Sequence, residues 1–108
     1  MVRRHIQVEQ EIAHMAGEFL ARESNTHALL TVTRAELTDD LKKAVVFLSV
    51  LPEKEEAISL KLVKRLRSDL REYVRKHSVL HPIPFLEFEI DYGEKNRQRV
   101  DELTRKKT

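Results

Sequence analysis

Four basic side chains, Lys64, Arg67, Arg71 and Arg75, recur at spacings of three and four, and Lys76 adjoins them. On a helix turning about 100° per residue the four fall within one narrow sector. Such a row can follow phosphates, because each phosphate it neutralises releases counterions. Arginine also forks onto phosphate oxygens. The same spacing describes the solvated face of an amphipathic helix, with Asp69 and Glu72 supplying internal pairs. Arg3 and Arg4 near the amino end, and Arg97 and Arg99 towards the other, extend the candidate phosphate-binding set. Arg105, Lys106 and Lys107 are weaker candidates, since basic termini are common on solubility grounds.

Catalytic chemistry finds little to work with. His5, His14, His27, His77 and His81 are scattered. The pair His77 and His81 has helical metal-ligand spacing, but Pro82 stops a helix there. Asp39 and Asp40 stand side by side where a turn is expected, and short carboxylates there bond backbone more often than they transfer protons. Gly17 and Gly93 are isolated, so no phosphate-cradling loop is present. Ser49 sits in a predicted strand with no nucleophile elbow around it. No catalytic residue, metal site, cofactor or small-molecule substrate is expected. Phe47, Phe85 and Phe88 are read as core, which leaves no exposed aromatic pair for stacking on bases. Recognition of a polyanion would then be of its shape and phosphate backbone.

The charge balance supports one element over the rest. The net charge is only +2, yet residues 61–76 hold seven Lys and Arg against Asp69 and Glu72. Residues 77–92 carry only Glu87, Glu89 and Asp91 as formal charges. A local basic element can attract a polyanion whatever the total. With 108 residues, 41% of them hydrophobic, the chain suits a single core. One domain over residues 1–104 is expected, followed by a disordered basic tail, 105–108. Without cysteine there is neither a disulfide framework nor a thiolate site. No signal-like apolar region follows Met1, and no apolar run approaches the length of a membrane span. The cytoplasm is the default location, with no membrane partner.

These side chains need a scaffold. Val8, Ile12, Met15, Phe19 and Leu20 predict an amphipathic helix over residues 4–22, and Ser24, Asn25 and Thr26 supply turn chemistry. Leu29–Leu37 and Lys43–Leu51 read as strands. The short turn between them, Thr38-Asp39-Asp40, favours antiparallel pairing. Apolar residues at both parities of the second strand imply cover on both faces and a central place. Pro52 and Glu53, Glu55 and Glu56 start a helical stretch reaching about residue 77. Ala57, Ile58 and Leu60 fall off its apolar stripe, which predicts a bend or restart near residue 60, or fraying before it. Leu62 to Val74 forms an unbroken stripe. Pro82 and Pro84 set an extended path into a strand over residues 85–92, where Leu86, Phe88 and Ile90 alternate with an acidic face of Glu87, Glu89 and Asp91. A long helical crossover returns that strand parallel to the second. A short helix around Val100 and Leu103 is possible in the tail. The order α-β-β-α(α)-β-(α) is an α+β fold with a three-stranded mixed sheet.

Several segments carry a family resemblance. Leu30-Thr31-Val32-Thr33, Glu36-Leu37-Thr38-Asp39-Asp40-Leu41 and Ala44-Val45-Val46-Phe47-Leu48-Ser49-Val50-Leu51 are followed by Leu70-Arg71 and Ile83-Pro84-x-Leu86-x-Phe88. Arg99-Val100-Asp101-x-Leu103 closes the series. In order and spacing these resemble the ribosome-binding factor A family over nearly the whole chain. The resemblance implies a type-II KH-like fold and a monomer that binds small-subunit (30S) ribosomal RNA during late maturation and 16S rRNA processing, without catalysis. A protein–protein adaptor on the same scaffold is the alternative. The family's small-x-Gly kink falls on Leu66-Arg67-Ser68, where the glycine is missing. That departure, with the unbroken stripe, predicts a mild bend or a continuous helix there.

Overall fold

The computed structural model describes residues 2–23 and 28–93, with side chains from residue 5 onward. Helix α1 (Val2–Glu23) leads to strands β1 (Leu29–Leu37) and β2 (Lys43–Leu51). After a 3-10 turn at Glu53–Glu55 come helices α2 (Glu56–Arg65) and α3 (Arg67–His77), then strand β3 (Phe85–Ile90). The sheet order is β1-β2-β3, with β1 antiparallel and β3 parallel to the central β2. No helix among the described residues is long and apolar enough to cross a membrane. The predicted turn at Ser24-Asn25-Thr26 and the predicted tail helix lie outside the described residues.

All three helices share one core with one face of the sheet. Ile12, Met15, Ala16, Phe19 and Leu20 of α1 meet Ala44, Val46 and Leu48 of β2, Leu86 and Phe88 of β3, and Val63, Leu70 and Val74 of α2 and α3. The 3.6-residue and two-residue periods of the sequence both converge on this layer. β2 is central, as expected, but it is not covered on both faces. Ala44, Val46, Leu48 and Val50 are buried, whereas Val45, Phe47 and Ser49 are half-buried and Leu51 is exposed.

β1 changes phase in its middle. Leu30 and Val32 pack towards the core, and so do Ala35 and Leu37, although the two pairs differ in parity. A bulge between Val32 and Arg34 absorbs the extra residue, so that Val32 pairs with Leu48 and Arg34 with Phe47. Without it a one-residue slip would turn Ala35 and Leu37 to solvent. The end of this edge strand is tied to α1. The Leu37 N–H donates to Glu9 Oε2 at 2.7 Å, and its carbonyl accepts from His5 Nε2 at 2.8 Å. A carbonyl can only accept, so His5 carries its proton on Nε2.

The β1–β2 loop is built as the sequence suggests. Thr38 Oγ1 donates to Asp40 Oδ1 at 2.6 Å, and the Lys42 N–H reaches the same oxygen at 3.0 Å. These bonds, the hydroxyl's first, hold the Asp40 carboxyl below the ordinary range. Leu41 takes φ 64°, a left-handed turn position that is costly for a branched side chain.

Candidate nucleic-acid interface

The helical stretch breaks at Leu66, not near residue 60. Leu66 has φ −87° and ψ 3°, and its N–H is shared between the carbonyls of Leu62 and Val63 at 3.2 and 3.1 Å. The Leu70 N–H then bonds to the Leu66 carbonyl at 2.9 Å and opens α3. The alternative of a continuous helix is therefore corrected. A negative φ with ψ near zero is sterically open to any L-residue, so this break does not require the missing glycine.

Val63 on α2 and Leu70 and Val74 on α3 all enter the core. Beyond the break, α3 leans on α1. Tyr73 stacks obliquely on Phe19 at 5.5 Å, and its hydroxyl donates to Glu18 Oε2 at 3.0 Å.

The predicted basic row is consequently divided. Lys64 is exposed on α2, while Arg71, Arg75 and Lys76 are exposed on α3. Arg75 Nε donates to Glu72 Oε2 at 2.8 Å, one of the internal pairs foreseen for a solvated face. Arg67 departs from the row. It is half-buried, its guanidinium lies 4.8 Å from the centroid of the Phe85 ring, and its Nε is buried without an acceptor among the described residues. Arg3 and Arg4 fall within α1, but their side chains lie outside the described part; Arg97, Arg99 and the tail 105–108 lie outside the described residues altogether.

Phe85 corrects a second expectation. It is 51% exposed, while Phe88 is in the core and Phe47 is half-buried on the sheet's other face. The alternation of β3 carried this signal, since Phe85 shares its phase with Glu87 and Glu89. Lys42 was also missed. The Phe85 N–H bonds to the Lys42 carbonyl at 2.8 Å, which carries the parallel pairing back into the β1–β2 loop. Lys42, Arg67, Ser68, Arg71, Ile83, Phe85 and Leu86 together line a groove of about 490 Å³ at the edge of the sheet.

The opposite face of the sheet has the other sign. Arg34 lies over the Phe47 ring at 3.9 Å and pairs with Glu36 and with Asp91, at 3.3 Å to the latter. Lys43 pairs with Glu87 at 3.5 Å. Asp91 does not belong to a solvated acidic face, because β3 ends at Ile90 and Asp91 is buried. Burial pushes its carboxyl up, but hydrogen bonds from Thr33 Oγ1 (2.5 Å) and Arg34, with the Arg34 charge, outweigh this and hold it below the ordinary range. Arg34 is raised in turn, since its bonds to Glu36 and Asp91 exceed the opposing effect of burial.

The family model for ribosome-binding factor A matches residues 4–104. The chain belongs to the ribosome-binding factor A family. It is similar to ribosome-binding factor A of Staphylococcus saprophyticus, 32% identical over 93% of this chain and 90% of the relative. It is likewise similar to that of Macrococcus caseolyticus, 31% identical over 94% and 91%. The fold matches the crystal structure of ribosome-binding factor A from Thermus thermophilus, with a TM-score of 0.71 at 22% identity over 80% of this chain and 93% of that one. A three-stranded mixed sheet with helices on one face is the KH-like fold of ribosome-binding factor A that the sequence led us to expect.

Proposed function

We propose that this protein binds the small ribosomal subunit through its ribosomal RNA during late assembly and 16S rRNA processing, and that it acts by binding rather than by catalysis. The observation that carries the reading is the uneven placement of charge. Lys61, Lys64, Arg65, Arg71, Arg75 and Lys76 are exposed on α2 and α3, where Asp69 and Glu72 are the only exposed acids. On the face away from the helices, two cations, Arg34 and Lys43, stand against three carboxylates, Glu36, Glu87 and Glu89. Phosphate is attracted to one side and repelled from the other, which orients the protein on a polyanion before any close contact forms. Binding energy alone can then favour one conformation of an immature RNA, and the factor leaves when a mature contact competes.

Co-sedimentation with purified small subunits across a salt series tests this. If Lys64, Arg71, Arg75 and Lys76 each neutralise a phosphate, affinity should fall roughly 100-fold between about 50 and 200 mM salt. The variant carrying Lys64→Glu and Arg71→Glu should bind at least about tenfold more weakly and show a shallower salt slope. Small-subunit binding by the folded variant at wild-type strength would move the interface elsewhere. Absence of small-subunit binding by folded wild-type protein at low salt would overturn the reading and favour a protein partner.

A further inference from the structure

The groove at the β3 edge has a composition that phosphate attraction alone does not explain. Three elements distant in sequence build it: Lys42 from the β1–β2 loop, Arg67, Ser68 and Arg71 from the first turns of α3, and Phe85 at the start of β3. Ile83 and Leu86 give it an apolar wall. Among the described residues, no carboxylate lies within ion-pair distance of the Lys42, Arg67 or Arg71 side chains. Arg67 presents a buried Nε–H with no acceptor, and a buried donor left unmade is costly. Phe85 remains half open to solvent although the Arg67 guanidinium sits over its ring.

We infer that this groove holds one unpaired RNA nucleotide, with its base stacked on Phe85 and its phosphate bound by Arg71 and Lys42. The inference rests on the RNA-binding reading above and names the part of the RNA that this site takes. Paired RNA would offer the groove phosphate oxygens, 2′-hydroxyls and base edges but no free base face, because its bases stack on one another inside the helix. An unstacked nucleotide offers a planar base for the aromatic ring and a phosphate for the cations. It also brings an acceptor for the Arg67 Nε–H. The volume of about 490 Å³ is that of a small-molecule site, large enough for one nucleotide.

The test compares two labelled probes on the full chain: a single-stranded RNA hexamer without self-complementarity, and an RNA duplex with the same number of phosphates. Phe85→Leu should weaken hexamer binding about 5- to 100-fold. Duplex binding should change by less than about twofold, and the salt slope for either probe should stay the same. The chain contains no tryptophan, so Phe85→Trp places a single reporter in the groove. Its fluorescence should be quenched by the hexamer and not by the duplex. Circular dichroism matching the wild type establishes that both variants fold. Unchanged hexamer binding by Phe85→Leu together with an unquenched Phe85→Trp would overturn the nucleotide site, even while salt-sensitive binding to small subunits persists. Failure of the wild type to bind small subunits and both probes would instead overturn the RNA reading, and the nucleotide site with it.

Discussion

Two buried polar side chains, Ser59 and Asp91, sit in opposite parts of the molecule and are treated in opposite ways. Ser59 is 1% exposed on α2, on the helix-covered side, and its hydroxyl has no hydrogen-bond partner among the described residues. Asp91 is 5% exposed beyond β3, and Thr33 and Arg34 both donate to its carboxylate. The covered side tolerates one neutral orphan because apolar packing holds it together. The open side lacks that packing and secures a buried charge with donors that include Thr33 and Arg34 at the bulge of β1 and the Gly93 N–H. One face is held by shape, the other by polar bonds, and they should fail under different stresses.

The largest effect is expected where packing dominates. Leu48 and Phe47 are neighbours on β2 and point to opposite faces; Leu48 is fully buried and Phe47 half-buried. Leu48→Ala should cost about 2–5 kcal/mol in urea unfolding, through lost transfer energy and the cavity left behind. Phe47→Ala removes a larger side chain, yet should cost less. Equal costs would mean that the open face is packed as tightly as the covered one.

A middle-sized effect is expected at Asp91. Asp91→Asn keeps the shape but weakens the bonds from Thr33 and Arg34, at about 1–3 kcal/mol near neutral pH. The sign of the pH dependence follows from a carboxyl held below its ordinary value of 3.8. Its contribution is complete above the unfolded pKa and is lost as pH falls through the lower, folded value. Wild-type stability should therefore decline more steeply than that of Asp91→Asn on acidification below about pH 4. Parallel acid limbs would show that Asp91 is not the group responsible.

Ser59→Ala should produce the smallest change, and in the other direction. Removing a buried hydroxyl without a partner, at a helical position that favours alanine, should raise stability by about 0.5–1 kcal/mol. A loss measured by thermal melting would mean that the hydroxyl is satisfied after all, for instance by buried water.

Much of the architecture was legible before any coordinates. β1 and β2 have the bounds that their β-branched runs suggest, and β3 begins where Pro84 releases the chain. The α1 stripe of Ile12, Met15, Phe19 and Leu20 is buried as its spacing requires. These features are local, since the period of apolar residues reports which side of an element faces the core. The phase change in β1 was also written in the sequence, in Leu30 and Val32 against Ala35 and Leu37.

The sequence by itself determined the element order, the core face of α1, the family and the concentration of positive charge in residues 61–76. Tertiary structure decided how that charge is divided. The break at Leu66 sets Lys64 apart from Arg71 and turns Arg67 onto Phe85. It also decided that Asp91 is buried and that Lys42 faces the first turns of α3 across a groove. Periodicity could not show these things, because it records which side of an element is apolar, whereas these contacts join residues tens of positions apart whose proximity is set by how the elements pack.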